Sequence, residues 1–325
     1  MVMKQRVSII IVSYNTKDLL ADCLESIKSQ YDAAEIETIV VDNASSDGSA
    51  DHVSRAYPDV KLIRNSENKG FAAANNQGVE VSGGEYVLFL NSDTLLKDGA
   101  IEGMLDVFDK HPETGLCGPK LLNADGSVQR NVYHFTTFRA ILARYTVLKY
   151  FGLFKKARDY YRMRNFDYGK FAKVDRVMGA AMMTTRKILD EVGGMDEGMF
   201  FYFEDVDLCK QINMAGYEIC FTPESQIVHL GGASSASLGN SKTLMMFFES
   251  MFYYFRKNRG KAETFCFGAF FKPAALLYIL LEFVAGLFKA VFLFFVDRKK
   301  AKVKFKTSRQ AGLFLAKHTL KFIVC

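Results

Sequence analysis

Three apolar runs near the N-terminus each stop at a cluster of small polar side chains, and this pattern constrains the fold more than any other feature of the chain. Val7–Val12 is β-branched and ends at Ser13-Tyr14-Asn15. Ile36–Val41 ends in Asp42-Asn43-Ala44-Ser45-Ser46-Asp47-Gly48, a dense turn signal, and Tyr86–Leu90 ends at Asn91-Ser92-Asp93. Between them lie a helical pattern with Leu19, Leu20, Cys23, Leu24 and Ile27 on one face, a short strand at Val60–Ile63 and a small-residue helix at Phe71–Val81. Strand and helix in alternation imply βαβ units and a mostly parallel sheet. Ligands of such sheets sit beyond the carboxyl ends of the strands, so the three polar clusters are expected to line one pocket.

The pattern changes after residue 120. Asp125-Gly126 is a turn signal between two short strand candidates. Residues 130–176 hold twelve Lys/Arg, three Asp and many aromatics without a clean period, which suits an acceptor site, a lipid-facing segment or a solvated loop with helices of its own. Arg176–Thr185 reads as one buried strand. A helix is expected from Glu204-Asp205 to Ala215, with Gly216 as its stop, then two short strands near Tyr217–Phe221 and Gln226–Leu230, the second carrying His229 and leading into Gly231-Gly232.

With 49% hydrophobic and 24% charged residues in 325, the chain is long and apolar enough for a large core. Its net charge of +6 is concentrated: residues 297–325 hold nine Lys/Arg and one acid, leaving −2 on the other 296 residues. The bulk of the protein is therefore no polyanion binder, and no nucleic-acid partner is expected. The basic tail follows Ala274–Val296, a 23-residue apolar run broken by Glu282, Gly286 and Lys289. That run is long enough to cross a bilayer, but each internal charge costs roughly 2.5–3.5 kcal/mol near its centre. A helix lying in the interface, or a re-entrant pair hinged at Lys272-Pro273, competes with a true span. The reading is of a domain at 1–235 and a helical, apolar, membrane-associating region with a basic tail at 236–325. The six cysteines show no CxxC spacing, and Val7–Val12 is too short for a signal-peptide core, which points to a reducing, cytosolic compartment.

Taken singly, the polar residues carry little: an Asp at a strand end is commonly a turn or cap, and acids in a helix's first turn suit its dipole. Their order in one chain carries more. Ser8-Ile9-Ile10-Ile11-Val12-Ser13-Tyr14-Asn15 and Val40-Val41-Asp42-Asn43-Ala44-Ser45-Ser46-Asp47-Gly48-Ser49 resemble the start of family 2 glycosyltransferases of the GT-A fold. Asn68-Lys69-Gly70-Phe71, Ala74-Asn75-Asn76, Phe89-Leu90-Asn91-Ser92-Asp93, Gly118-Pro119-Lys120-Leu121, Phe203-Glu204-Asp205-Val206-Asp207-Leu208 and Val228-His229 extend the resemblance, which is nearest to the rhamnosyltransferase-like branch.

The resemblance implies a Rossmann-like, mostly parallel sheet and a set of roles. Val12 and Tyr14 would flank the nucleotide base, and Asp42 would accept from a pyrimidine imide N–H. Asn68 and Gly70 would border the nucleotide-sugar pocket. Asn91-Ser92-Asp93 stands in the place of the family's DxD motif with Asn at its first position, so Asp93 is the expected ligand of Mg²⁺ or Mn²⁺ and Asn91 a weak ligand or ribose contact. His229 would be the second metal ligand. Asp205 would be the catalytic base, with Glu204 beside it. Together these imply an inverting, metal-dependent transfer of one sugar, with rhamnose the sugar the branch suggests, from a nucleotide-sugar donor to a lipid-linked glycan. The setting would be bacterial surface polysaccharide synthesis at the cytoplasmic face of the inner membrane, with the enzyme peripheral, monotopic or held by one span. The chain has no Trp, so the QxxRW motif of processive members is absent. The competing readings are a non-catalytic tethered scaffold of the same fold and a nucleotidyltransferase; the latter needs a Gly-rich phosphate loop where Ser13-Tyr14-Asn15-Thr16 stands.

Overall fold

A computed structural model describes residues 6–231 and 240–325. They fall into two compact units, one of Met1–Phe135 with Asn165–Ser237 and one of Thr136–Arg164 with Leu238–Cys325. The domain boundary expected at 235/236 lies outside the described residues, as does Gly232.

In the first unit the strands are β1 (Val7–Ser13), β2 (Ile36–Asp42), β3 (Lys61–Arg64), β4 (Tyr86–Asn91), β5 (Thr94–Leu96), β6 (Thr114–Leu122), β7 (Val128–Gln129), β8 (Val132–Tyr133), β9 (Ala172–Val174), β10 (Arg176–Val177), β11 (Ala181–Thr185) and β12 (Glu218–His229). The main sheet runs β3-β2-β1-β4-β11-β6-β12-β5, and β10 pairs with β8 in a small second sheet. The pairs β3–β2, β2–β1, β1–β4 and β6–β12 are parallel; β11 runs against both its neighbours.

Every residue of β1 is buried, as a strand covered on both faces requires. Alternate side chains separate into two cores: Ile9, Ile11, Val40, Leu88 and Leu90 on one face, and Ile10, Val12, Ile39, Val41, Val87 and Phe89 on the other. The helices α1 (Lys17–Lys28), α2 (Ser49–Ala56), α3 (Phe71–Val81) and α4 (Ala100–Lys110) lie between strands in sequence. Helix α1 buries Leu20, Cys23, Leu24 and Ile27 in the first core; Leu19, expected on the same face, is only half-buried.

Two local expectations need correction. Arg176–Thr185 is not one strand: Met178–Ala180 break it, so Arg176–Val177 pair with β8 while Ala181–Thr185 enter the main sheet. The two strands expected between 217 and 230 are one bulged strand, β12, whose register against β6 shifts between Thr222 and Gln226.

The second unit is helical: α5 (Phe138–Tyr145) and α6 (Lys155–Tyr161), then, after α7 (Arg186–Val192) and α8 (Glu204–Met214) of the first unit, α9 (Asn240–Arg259), α10 (Lys261–Val296) and α11 (Arg298–Val324). The aperiodic 130–176 segment thus contributes Thr136–Arg164 to this unit, where Phe138 stacks on Phe267. Helix α10 continues through Pro273, so the hinge expected there is absent. It is long and apolar enough to cross a membrane, and the basic tail after it is a helix.

Candidate functional site

Strands β1, β2 and β4 finish together. Ser13 pairs with Asp42, and Val12 with Asn91. Because β2 lies on one side of β1 and β4 on the other, their carboxyl ends flank the crevice where the strand order turns, the place such sheets offer a ligand. The polar runs that terminate the strands therefore meet there. Hydroxyls link them: Ser13 Oγ lies 3.0 Å from Thr16 Oγ1, which lies 2.9 Å from Ser92 Oγ. Asn15, with φ of 53°, accepts from the backbone N–H of Ser46 at 2.7 Å and so ties the first loop to the second.

Asp42 is buried at the end of β2. Its Oδ2 accepts from the Ser45 N–H at 3.1 Å, while its Oδ1 is buried with no hydrogen-bond partner among the described residues. A buried acceptor without a donor is costly unless a ligand satisfies it, and a pyrimidine imide N–H is a donor of the right kind. Val12 is buried and Tyr14 half-buried on the neighbouring strand end.

Asn43, given no role of its own by the motif that contains it, organises the next loop. Its Nδ2 donates to Asn68 Oδ1 at 3.0 Å and to the Gly70 carbonyl at 3.1 Å; its Oδ1 accepts from the Lys69 N–H at 3.0 Å. Asn68 also accepts from the Gly70 N–H, so its side chain holds the loop. Gly70 has φ of +89°, and a Cβ there would lie 2.7 Å from the Phe200 carbonyl oxygen. Glycine is thus required both by conformation and by the approach of the segment leading into α8.

Asp93 and His229 come together. Thr94 of β5 pairs with His229 of β12, which sets His229 Nε2 3.3 Å from Asp93 Oδ1, with the two side chains 10% and 7% exposed. On its far side, His229 Nδ1 lies 2.7 Å from Gln129 Oε1. The amide of Gln129 is oriented by its Nε2, which donates to the His229 carbonyl at 3.1 Å and to Asn123 Oδ1 at 3.0 Å. Gln129 Oε1 is then an acceptor, so Nδ1 carries a proton, and Nε2 is the ring nitrogen that faces the Asp93 carboxylate. An imidazole nitrogen and a carboxylate oxygen this close are a pair that a divalent cation could take as ligands, and the Gln–His arrangement is the kind of outer contact that orients a metal-binding imidazole. Among the described residues no group of three or more His, Cys, Asp and Glu is placed to hold a metal. A divalent ion here would rely on Asp93, His229, water and substrate oxygens, a shell Mg²⁺ tolerates. Asn91 is partly exposed, and its side chain makes no hydrogen bond within the described residues, which leaves it able to meet a ligand.

Asp205 opens α8. Its Oδ2 accepts from the Gly179 N–H at 3.0 Å and lies 3.5 Å from Arg176 Nη1, whose guanidinium stacks 4.6 Å from the Tyr133 ring centroid. The next carbonyl along, that of Ala180, accepts from the Asn91 N–H at 2.9 Å. Asp205 therefore sits beside the strand that abuts the Asn91-Ser92-Asp93 turn. Glu204 is different: burial, then the charge of Asp205, pushes its carboxyl well above the usual range, and its buried Oε2 has no hydrogen-bond partner among the described residues. Tyr202 and Phe203 just before it have φ of 71° and 70°, a left-handed backbone that side-chain-bearing residues rarely adopt.

All ten expected site residues thus border the carboxyl ends of β1, β2 and β4 or the elements packed against them. Asn43, Thr16, Gln129 and Arg176 were missed. Asn43 lies within the Val40–Ser49 motif and Thr16 follows the Ser8–Asn15 motif; nothing local marks Gln129 or Arg176, whose importance comes from partners far along the chain.

Residues 8–193 match the family model for glycosyl transferase family 2. The chain is 26% identical over 208 residues to an N-acetylglucosaminyl-diphospho-decaprenol L-rhamnosyltransferase of Mycobacterium tuberculosis, covering 60% of this chain and 66% of that one. It is 24% identical over 226 residues to a poly-beta-1,6-N-acetyl-D-glucosamine synthase of Staphylococcus epidermidis, covering 67% of this chain and 48% of that one. It therefore spans at most about two thirds of the length of these curated relatives. Among solved structures, the mannosyltransferase PcManGT of Pyrobaculum calidifontis, in complex with GDP-Man and Mn²⁺, superposes with a TM-score of 0.55 at 18% identity, covering 98% of this chain and 88% of that one. At that identity the likeness is one of fold.

Proposed function

The chain belongs to glycosyl transferase family 2, and on that premise we propose that it transfers a single sugar from a nucleotide-sugar donor to a lipid-linked glycan, with inversion and with a divalent metal, at the cytoplasmic face of a bacterial membrane. Rhamnose is the proposed sugar, since a rhamnosyltransferase acting on a decaprenol-linked substrate by its name is among the relatives. The observation that carries the reading is the bridge from Asn91 through Ala180 and Gly179 to Asp205, which sets the proposed base beside the turn that would face the donor's diphosphate.

In this reading Asp42 Oδ1 accepts from the nucleotide base, and the backbone at Gly70 leaves room for the sugar. Mg²⁺ or Mn²⁺, held by Asp93 and His229, would supply stabilisation of the charge growing on the leaving diphosphate. Asp205 takes the proton of the acceptor hydroxyl as it attacks the anomeric carbon opposite the leaving group. One displacement inverts that centre. Burial of Glu204 disfavours its charged form and so limits the negative charge beside Asp205. The decisive experiment is Asp205→Asn, which keeps an acceptor for the Gly179 N–H: donor binding, read by thermal shift with nucleotide sugar and Mn²⁺, should persist while transfer falls at least a hundredfold. Transfer within a few-fold of wild type would overturn the assignment.

A further inference from the structure

Helix α10 satisfies the length and hydropathy of a membrane span, yet its neighbour forbids one. It runs 36 residues, and α11 follows after Asp297 and returns beside it. Gly286 meets Ser308, a Cβ on Gly312 would lie 2.8 Å from the Phe283 ring, and Lys272 Nζ donates to the Ile323 carbonyl at 2.8 Å. The two helices are therefore antiparallel neighbours along the whole apolar half of α10. A span through Ala274–Val296 would draw α11 into the same slab. That helix carries Lys299, Lys302, Lys306 and Arg309 on exposed positions. Each cation at the bilayer centre disfavours insertion by about a hundredfold.

The outer face of α10 nevertheless needs an apolar environment. Leu277, Leu281, Val284, Phe288, Val291 and Phe295 are all exposed and recur at three- and four-residue steps, forming one stripe. The acid of the run is turned away from it: Glu282 accepts from Tyr150 Oη at 2.6 Å and pairs with Lys149 at 3.5 Å. An unbroken aliphatic and aromatic stripe beside a strongly basic helix is the composition of an in-plane anchor on an anionic lipid surface.

We propose that α10 and α11 form a hairpin that lies flat in the headgroup region of an anionic bilayer, with the stripe immersed and the α11 cations on lipid phosphates, and that neither helix crosses. This deepens, and rests on, the membrane-surface reading above.

The absence of tryptophan makes the test direct. In full-length Phe288→Trp, the only indole sits at an exposed position near the middle of Ala274–Val296. The protein is mixed with vesicles of phosphatidylcholine alone or with phosphatidylglycerol at equal proportion, and quenching by shallow- and deep-brominated lipids is compared. The expected result is binding that requires phosphatidylglycerol, weakens with salt, and shows stronger shallow than deep quenching. Lys302→Gln with Lys306→Gln and Arg309→Gln should weaken binding about a hundredfold. Deep quenching would overturn the in-plane hairpin while leaving membrane association intact. Equal binding to phosphatidylcholine alone would overturn the charge match, and no binding to either vesicle would overturn the membrane reading itself.

Discussion

His229 presents Nε2 to Asp93 Oδ1 at 3.3 Å, and Gln129 Oε1 occupies the opposite nitrogen at 2.7 Å. Gln129 is thus placed to position His229, the proposed metal ligand. Gln129→Leu removes the acceptor and frees the ring to place its proton on Nε2. Mn²⁺ affinity, read by electron paramagnetic resonance of the free ion with nucleoside diphosphate present, should fall about 10–100-fold. Gln129→Glu, which keeps an acceptor, should recover most of the loss. His229→Ala should bind Mn²⁺ no better than Gln129→Leu, and wild-type affinity in either variant would remove the tautomer account.

The buried Oδ1 of Asp42 has no donor within the described residues. Asp42→Ala should therefore lose little in the unliganded fold beyond the Ser45 bond, about 1 kcal/mol. Nucleotide binding should lose more, about 1.5–3 kcal/mol for a bond to a charged acceptor, or roughly 10–100-fold in Kd. Calorimetric titration with the nucleoside diphosphate, set beside the melting temperature, separates the two. Equal losses would mean that Asp42 serves the loop and not the ligand.

Glu204 gives a pH signature. Its folded-state pKa is raised by burial, so between the unfolded value and the raised one the folded protein binds more protons than the unfolded chain. The stability it contributes is full below the unfolded pKa of about 4.3 and declines as pH rises toward the folded value. Glu204→Gln keeps the shape and cannot ionise. The difference in unfolding free energy between variant and wild type should be small at pH 4.5 and grow in the variant's favour toward pH 8. A flat difference would show that Glu204 is ionised in the folded protein.

Gly70→Ala sets a Cβ against the Phe200 carbonyl in a left-handed conformation. A loss of about 1–3 kcal/mol is expected by chemical denaturation, with weaker donor binding because the Asn68–Gly70 loop must shift. An unchanged midpoint would show that the loop relaxes freely.

Removing residues 263–325 would not yield a clean soluble catalytic unit. Phe248 packs against Phe271, Phe314 and Phe322, and Phe138 against Phe267, so truncation bares buried rings of α9 and α5. The truncated chain should aggregate or bind a hydrophobic dye strongly, whereas the α11 charge variants should melt like wild type.

Much of the site was legible because the information is local. Alternation of β-branched runs with helical periods marked β1, β2 and β4, and Asn, Asp, Ser and Gly at their ends marked the loops, since turn chemistry and strand termination are decided within a few residues. Arg176–Thr185 misled for the same reason: it is apolar enough for one strand, and only the partners of Val177 and Ala181 divide it between two sheets. The bulge in β12 likewise depends on its match to β6.

From its own order of residues the chain determined the α/β alternation, the polar strand ends, the family motifs and the apolar and basic character of its last helices. Tertiary structure alone decided that Gln129 orients His229, that Gly179 and Arg176 hold Asp205, that Thr136–Arg164 pack with the C-terminal helices, and that α11 lies along α10. The reason is physical. Periodicity and turn preference act through neighbours on the chain, whereas side-chain orientation, burial and helix pairing depend on which distant side chains the fold brings within a few ångströms.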